Sequence, residues 1–388
     1  MKTITACLLA LAVCVSVSTP QEPQTIDQKV TSSLIEYIKT HYQTPEEYVI
    51  SKFKDHDIVF LGEWHRIRHD PELVQALVPL LYNAGVRYLG YEFARRLDQP
   101  LIDSLLNAPR YDEQLARRVV FKNFVHWGYQ EYVDLFKAAW TLNHGLPAGS
   151  RRFRILGLNN SPDWSVIKTE EDRDKREVML NVWHGETEED WAKVLCDVVI
   201  GQGEKALVYC GIHHAFTEYR QPIAVDGKFI RFGDVRVGNA VFAKIGKRAI
   251  TINLHAPWVN VEGYEKPPVL PADGYIDAVL NELEPKYQRV GVDLKGTPFG
   301  KLPGETSLYK FGYDHFTLET IYDGYICQGP FSSYKGVTAI RDFVTKENLE
   351  EARAQSPNPR LRRATIEDFN EGAAQDADIP RRLSAFKR

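Results

Sequence analysis

The sequence predicts an α/β protein: a mostly parallel central sheet flanked by helices, with a site at the carboxyl edge of the strands. Three observations carry this expectation. Short apolar runs recur along the chain with helical patterns between them, the signature of repeated strand–helix–strand units. The first two runs, Asp57–Leu61 and Val86–Tyr91, enclose one helix, and such a unit is right-handed with parallel strands. Successive runs then end in side chains able to do chemistry, and open parallel sheets bind ligands outside the carboxyl ends of their strands.

The chain has 388 residues, 44% apolar and 26% charged, the profile of a soluble globular protein with an ordinary core. At the N-terminus Lys2 precedes an apolar run from Ile4 to Val17, overlapping Ser16-Val-Ser18 and followed by Thr19-Pro20. A positive start, a short apolar stretch and a small-x-small pattern describe a signal peptide over residues 1–18 and a secreted or periplasmic destination. The run falls short of the roughly 20 apolar residues that span a bilayer, and no later segment reads as a membrane helix. Val13 before Cys14 is a poor setting for a lipid anchor. A single domain is expected over 19–345. A charged, partly ordered tail is expected over 346–388, where apolar side chains thin out and Pro357 and Pro359 interrupt helices.

Within the domain, Ser33–Tyr42 reads as a short helix. Asp57–Leu61 is a buried strand running into Gly62-Glu-Trp-His65. Asp70 as cap and Pro71 in the first turn open a helix with Leu73, Leu77, Leu80 and Leu81 on its apolar face. Pro79 predicts a kink there, and Gly85 the end. Val86–Tyr91 follows as a strand ending at Glu92, expected beside the first. Residues 98–144 are helical in pattern. Phe153–Leu158 is a third strand, ending at Asn159, and helices over Glu170–Trp183 and Thr187–Ile200 lead to a fourth, Lys205–Cys210. That strand runs into Gly211-Ile-His-His214. Ala249–Leu254 ends at His255, and Arg289–Val292 at Asp293.

The candidate site residues are Glu63, His65, Glu92 and His214. Two Gly-x-x-His segments each end a strand, and a Glu-terminated strand lies nearby. Glycine at a strand end lets the backbone turn and approach a ligand. Glu63, two positions before His65, shares its side of an extended chain, and a carboxylate beside an imidazole fixes its tautomer and raises its basicity. Two chemistries stay open: a general base activating water, or a divalent metal held by Glu63, His65, Glu92 and His214. Of the neighbours, one of His213 and His214 is expected to face away. His255 and Asp293 fit structural capping, Trp64 and Trp127 fit packing, and Cys210 fits a buried small hydrophobe. Arg66 and Arg68 are solvated or hold an anionic group.

The 48 basic and 52 acidic side chains give a net charge of −4. No basic stripe with interleaved aromatics occurs, so nucleic-acid binding has no support. Cys196, Cys210 and Cys327 follow the leader; their spacing matches no metal knuckle or disulfide framework.

On Leu61-Gly-Glu-Trp-His65 with its following helix, Gly90-Tyr-Glu92 and Val208-Tyr-Cys-Gly-Ile-His-His214, the sequence resembles the superfamily joining erythromycin esterases, ChaN haem-binding lipoproteins and TraB/Tiki proteins. Asp174–Asn181, Gly291–Gly300 and Tyr322–Ile326 are weaker pieces of the resemblance. It implies one α/β domain over roughly residues 55–330, with the site at the strand ends. It does not fix one reaction: the esterases use a motif histidine as base, Tiki proteins look like metal-dependent proteases, and ChaN binds haem. Carried over, His65 is the base or a ligand, Glu63 and Glu92 orient it or bind metal, and His214 completes the site. Arg66 stands where the esterases prefer a small residue, which argues against macrolide hydrolysis. The expectation is an exported hydrolase acting on an ester, lactone or amide of a small molecule or peptide, with or without a metal; the alternative is a haem or iron-compound binding protein of the cell envelope.

Overall fold

The computed structural model describes residues 26–225 and 227–386. The expected signal peptide therefore lies outside the described residues. Nine strands are present among them: β1 (Ile58–Glu63), β2 (Tyr88–Arg95), β3 (Arg154–Asn159), β4 (Ala206–Gly211), β5 (Pro222–Val225), β6 (Lys228–Phe232), β7 (Ala249–Leu254), β8 (Arg289–Asp293) and β9 (Gly324–Gln328). Seven form the central sheet, in the order β3-β2-β4-β1-β7-β9-β8, and β5 and β6 make a separate hairpin. Every central pairing is parallel except β8 with β9. β1, β4 and β7 are buried along their whole length. Covered on both faces, they must be apolar throughout, which is why they read as unbroken hydrophobic runs.

Alternate residues of each strand feed two cores. On one face Val59, Leu61, Tyr91 and Tyr209 pack under the helices His69–Asn83, Gln99–Asn107, Glu113–Asn123 and Gln130–Gly145. On the other, Ile58, Phe60, Val208 and Cys210 pack under Glu188–Val198 and Val237–Ile245. The helix leaving β1 and the helix leading into β7 thus lie on opposite faces. Adjacent strands whose connections part in this way open a crevice at their carboxyl ends. Here the two strands are β1 and β4, so the topology puts the crevice at their carboxyl ends.

Several expectations are corrected. β1 and β2 are parallel but not adjacent, because β4 inserts between them, pairing Gly62 with Cys210 and Tyr91 with Tyr209. β2 also runs past Glu92 to Arg95. β8 runs antiparallel, so Asp293 pairs with Gly324 at the start of β9 and lies at the opposite edge from His65. There its carboxylate accepts from Tyr48 at 2.9 Å and Lys52 at 2.5 Å, a structural role. Asp70 does not cap its helix, which begins at His69 without a side-chain cap. Its buried carboxyl instead accepts from Gln328 at 3.0 Å. The helix continues through Pro79. Glu170–Trp183 is two pieces, a 3-10 turn over Glu170–Asp174 and a helix over Arg176–Val182.

The tail is tied down. Helices Leu349–Ala354 and Ile366–Asp376 place Ala352 and Phe369 in the first core. Ile379 and Leu383, both fully buried, pack with Ile67, Phe331 and Tyr334 beside Trp64. A few apolar residues at helical spacing suffice to dock a segment whose average composition is polar. Among the described residues no helix is long and apolar enough to cross a membrane, and Cys196, Cys210 and Cys327 are free thiols.

Candidate functional site

β1 delivers Glu63 to the crevice as its last residue, only 1% exposed. A buried carboxylate must be hydrogen-bonded to be tolerated, and Glu63 is. Oε1 accepts from the Tyr132 hydroxyl at 2.6 Å and meets His65 Nδ1 at 2.7 Å, while Oε2 accepts from the Tyr209 hydroxyl. Burial, then the charge of Glu63, pushes both phenols far above their ordinary range, so they serve as fixed neutral donors. With Nδ1 engaged, His65 Nε2 has no hydrogen-bond partner among the described residues, on a side chain 21% exposed. Its ring stands edge-on to Trp127 and Phe93, 4.7 and 5.7 Å between centroids.

Gly211, opposite Glu63 on β4, makes room for this ring. A Cβ there would lie 2.7 Å from His65 Cε1 and 2.9 Å from Nε2. The same point is 3.5 Å from Glu92 Oε2, so the imidazole and the second carboxylate meet over the glycine. Glu92 Oε2 accepts from the Gly211 N–H at 2.6 Å, and Oε1 lies 3.5 Å from His214 Nε2. On its other side His214 Nδ1 lies 2.9 Å from Glu188, whose carboxylate also accepts from Arg236 at 2.5 Å. The His214 ring stacks on Trp191 at 5.0 Å, and Asn160 accepts from that indole at 3.1 Å. Burial works against the His214 imidazolium, but Glu188 and Glu92 outweigh it and raise its pKa. Burial works against the Glu188 carboxylate too, yet His214 and Arg236 bring it down to about 2.

Glu63, His65, Glu92 and His214 therefore form one connected line across β1, β4 and β2. They do not form a metal cage. Among the described residues no group of three or more His, Cys, Asp or Glu side chains is placed to hold a metal ion. Glu63 is committed to two phenols and an imidazole, and Glu92 to a backbone N–H. The expected divalent-metal set is thus not supported. Nor does any of the four line the surface hollows of about 440 and 350 Å³, which lie between Gln75 and Leu142 and beside Asp293.

The remaining candidates disperse. His213 turns to the Tyr309 hydroxyl at 2.7 Å; burial, then Arg236 and His214, brings its pKa down to about 3. His255 is buried flat against Phe331, with Nδ1 3.0 Å from the Tyr325 hydroxyl. Cys210 is fully buried, and burial followed by Glu92 raises its thiol well above the ordinary range, so it is no nucleophile. Tyr132, Tyr209, Glu188, Arg236 and Trp191 were not expected at the site. Tyr209 lies in the motif around Gly211; the others carry no local signal, since folding alone brings them in.

Residues 49–164 match the model of a family described as haem-binding uptake, Tiki superfamily, ChaN. The matched segment contains β1, β2, Glu63, His65 and Glu92, and it bears out the resemblance to that superfamily. Among solved structures, a succinoglycan biosynthesis protein shares 10% identity over 81% of this chain and 100% of its own, with a TM-score of 0.50, which shows a common fold. A Bacillus cereus protein shares 13% over 76% and 96%, with a TM-score of 0.45. ChaN of Campylobacter jejuni, described with cofacially bound haem, shares 14% over 55% and 88%, with a TM-score of 0.37. Among curated proteins none matches.

Proposed function

We propose that this protein binds haem, or a closely related iron compound, at the β1–β4 crevice, with His65 as the iron ligand. The observation that supports it most is the match to a haem-binding family across the segment that carries the Glu63–His65 pair. The residues fit the group. A haem-ligating histidine is neutral, and its second ring nitrogen is normally held by a carboxylate or carbonyl that fixes the ring and strengthens it as a donor. Glu63 does this to Nδ1, and Nε2 has no hydrogen-bond partner among the described residues. Trp127 and Phe93 supply apolar edges beside it. Haem, when bound, would supply redox-active iron; the chain supplies the ligand, its orientation and its surroundings.

Titration of purified protein with haem is expected to give a saturable shift of the Soret band. His65→Ala should abolish that shift with little change in melting temperature, because Glu63 keeps both tyrosine donors. Saturable binding that survives His65→Ala unchanged would overturn the assignment. The same carboxylate-held imidazole also suits a water-activating base, so a hydrolase remains the second reading. Turnover of an ester or peptide panel by wild type but not by His65→Ala, with no Soret shift in either, would decide for it.

A further inference from the structure

Arg66 follows His65 and has no part in the arrangement described so far. It is a non-glycine residue at φ +77°, a conformation that costs free energy and persists only where the surroundings enforce it. Its N–H donates to the Tyr132 hydroxyl at 3.0 Å, and its carbonyl accepts from Val337. The side chain so directed is 5% exposed. The guanidinium lies 4.8 Å from the Trp127 ring centre and 5.5 Å from that of Tyr129. His65 is 4.7 Å from the same Trp127 ring, so the imidazole and the guanidinium share one aromatic neighbour.

The guanidinium is under-used. Nε donates to the Tyr129 hydroxyl at 2.9 Å, but Nη2 is buried without a hydrogen-bond partner among the described residues. Asp376, the last residue of helix Ile366–Asp376, brings Oδ2 to 3.3 Å from Nη2 without completing that bond. Arg382 lies on Trp64 at 4.2 Å and adds a second positive charge close by; burial, then Arg66, brings its pKa down to about 10. An unfilled planar fork of N–H donors is complementary to a carboxylate held in two-point contact.

We propose that Arg66 is a carboxylate subsite for the molecule bound at His65, and that Asp376 is an internal stand-in which the ligand's carboxylate displaces. The proposal rests on the haem reading, since haem carries two propionates. It adds that the C-terminal helix competes with the ligand for Arg66.

The test compares haem with its dimethyl ester, in which both carboxylates are blocked, on the full chain. Asp376→Asn is expected to tighten haem on the order of tenfold, the scale of one charge-assisted contact, and to leave the diester unchanged. Arg66→Lys, which keeps the charge but loses the fork, should weaken haem and spare the diester. Parallel responses of haem and diester in both variants would overturn the subsite while leaving His65 as the iron ligand. If neither porphyrin binds wild type, the haem reading fails, and propionate alone decides the subsite. A rise in the melting temperature of Asp376→Asn in propionate over chloride at equal ionic strength, lost on adding Arg66→Lys, supports it. Equal melting in the two salts overturns it.

Discussion

Gly211 shows how one missing side chain sets the geometry of the site. Any Cβ would press on His65 at 2.7 Å, and the ring cannot retreat freely because Glu63 holds Nδ1. Gly211→Ala is therefore expected to displace the imidazole, weaken haem binding by at least tenfold, and cost about 1–3 kcal/mol through overpacking. Wild-type affinity in that variant would contradict the proposed position of the ligand. His214 offers a second check. Its folded pKa is raised above the ordinary value of 6.5 by Glu188 and Glu92. Its pairing thus adds stability that is fully present below about pH 6.5 and is lost as pH rises through the folded pKa. The gap in melting temperature between wild type and His214→Gln should be largest in mild acid and shrink toward alkaline pH. A gap that widens with pH would show that His214 is neutral in the folded protein.

At the scale of elements, legibility depended on whether the signal was local. β1, β4 and β7 are buried on both faces, so their apolar runs stand out and their ends could be located to within a residue or two. The Gly-x-x-His segments stood out for the same reason, since each follows such a run. Sheet order had no local signal. β4 lies between β1 and β2, and that placement also brings Gly211, Glu188 and Trp191 to the site. β8 reads like the other strands, but its antiparallel direction comes from its pairing with β9, so the local pattern alone puts Asp293 at the wrong edge. The tail misled through its average. Its docking rests on a few residues, chiefly Phe369, Ile379 and Leu383, scattered among charges. Ile379→Ala removes a fully buried side chain and should cost about 2–5 kcal/mol if the tail unfolds together with the domain. A denaturant midpoint that does not move would show that the tail unfolds on its own.

At the scale of the whole molecule, the leader and the cysteines bear on one question, where the protein works. We propose that Lys2, the apolar run to Val17 and Ser16-Val-Ser18 act as an export signal. On that proposal the chain would meet oxidising conditions, where the thiols of Cys196, Cys210 and Cys327 would be a liability. The fold limits that liability. Cys210 and Cys327 are buried, and burial raises the pKa of both thiols, so little reactive thiolate forms. Cys196, only partly covered, is also raised by burial. None needs a partner for the fold to stand, because the sheet is sealed on both faces by apolar cores. We therefore expect export without any structural disulfide. N-terminal sequencing of protein recovered from outside the cytoplasm should begin near Thr19, and its melting temperature should not fall on adding a reductant. Protein that stays in the cytoplasm with Met1 in place would refute the export reading, and a large loss of stability on reduction would refute the account of the thiols.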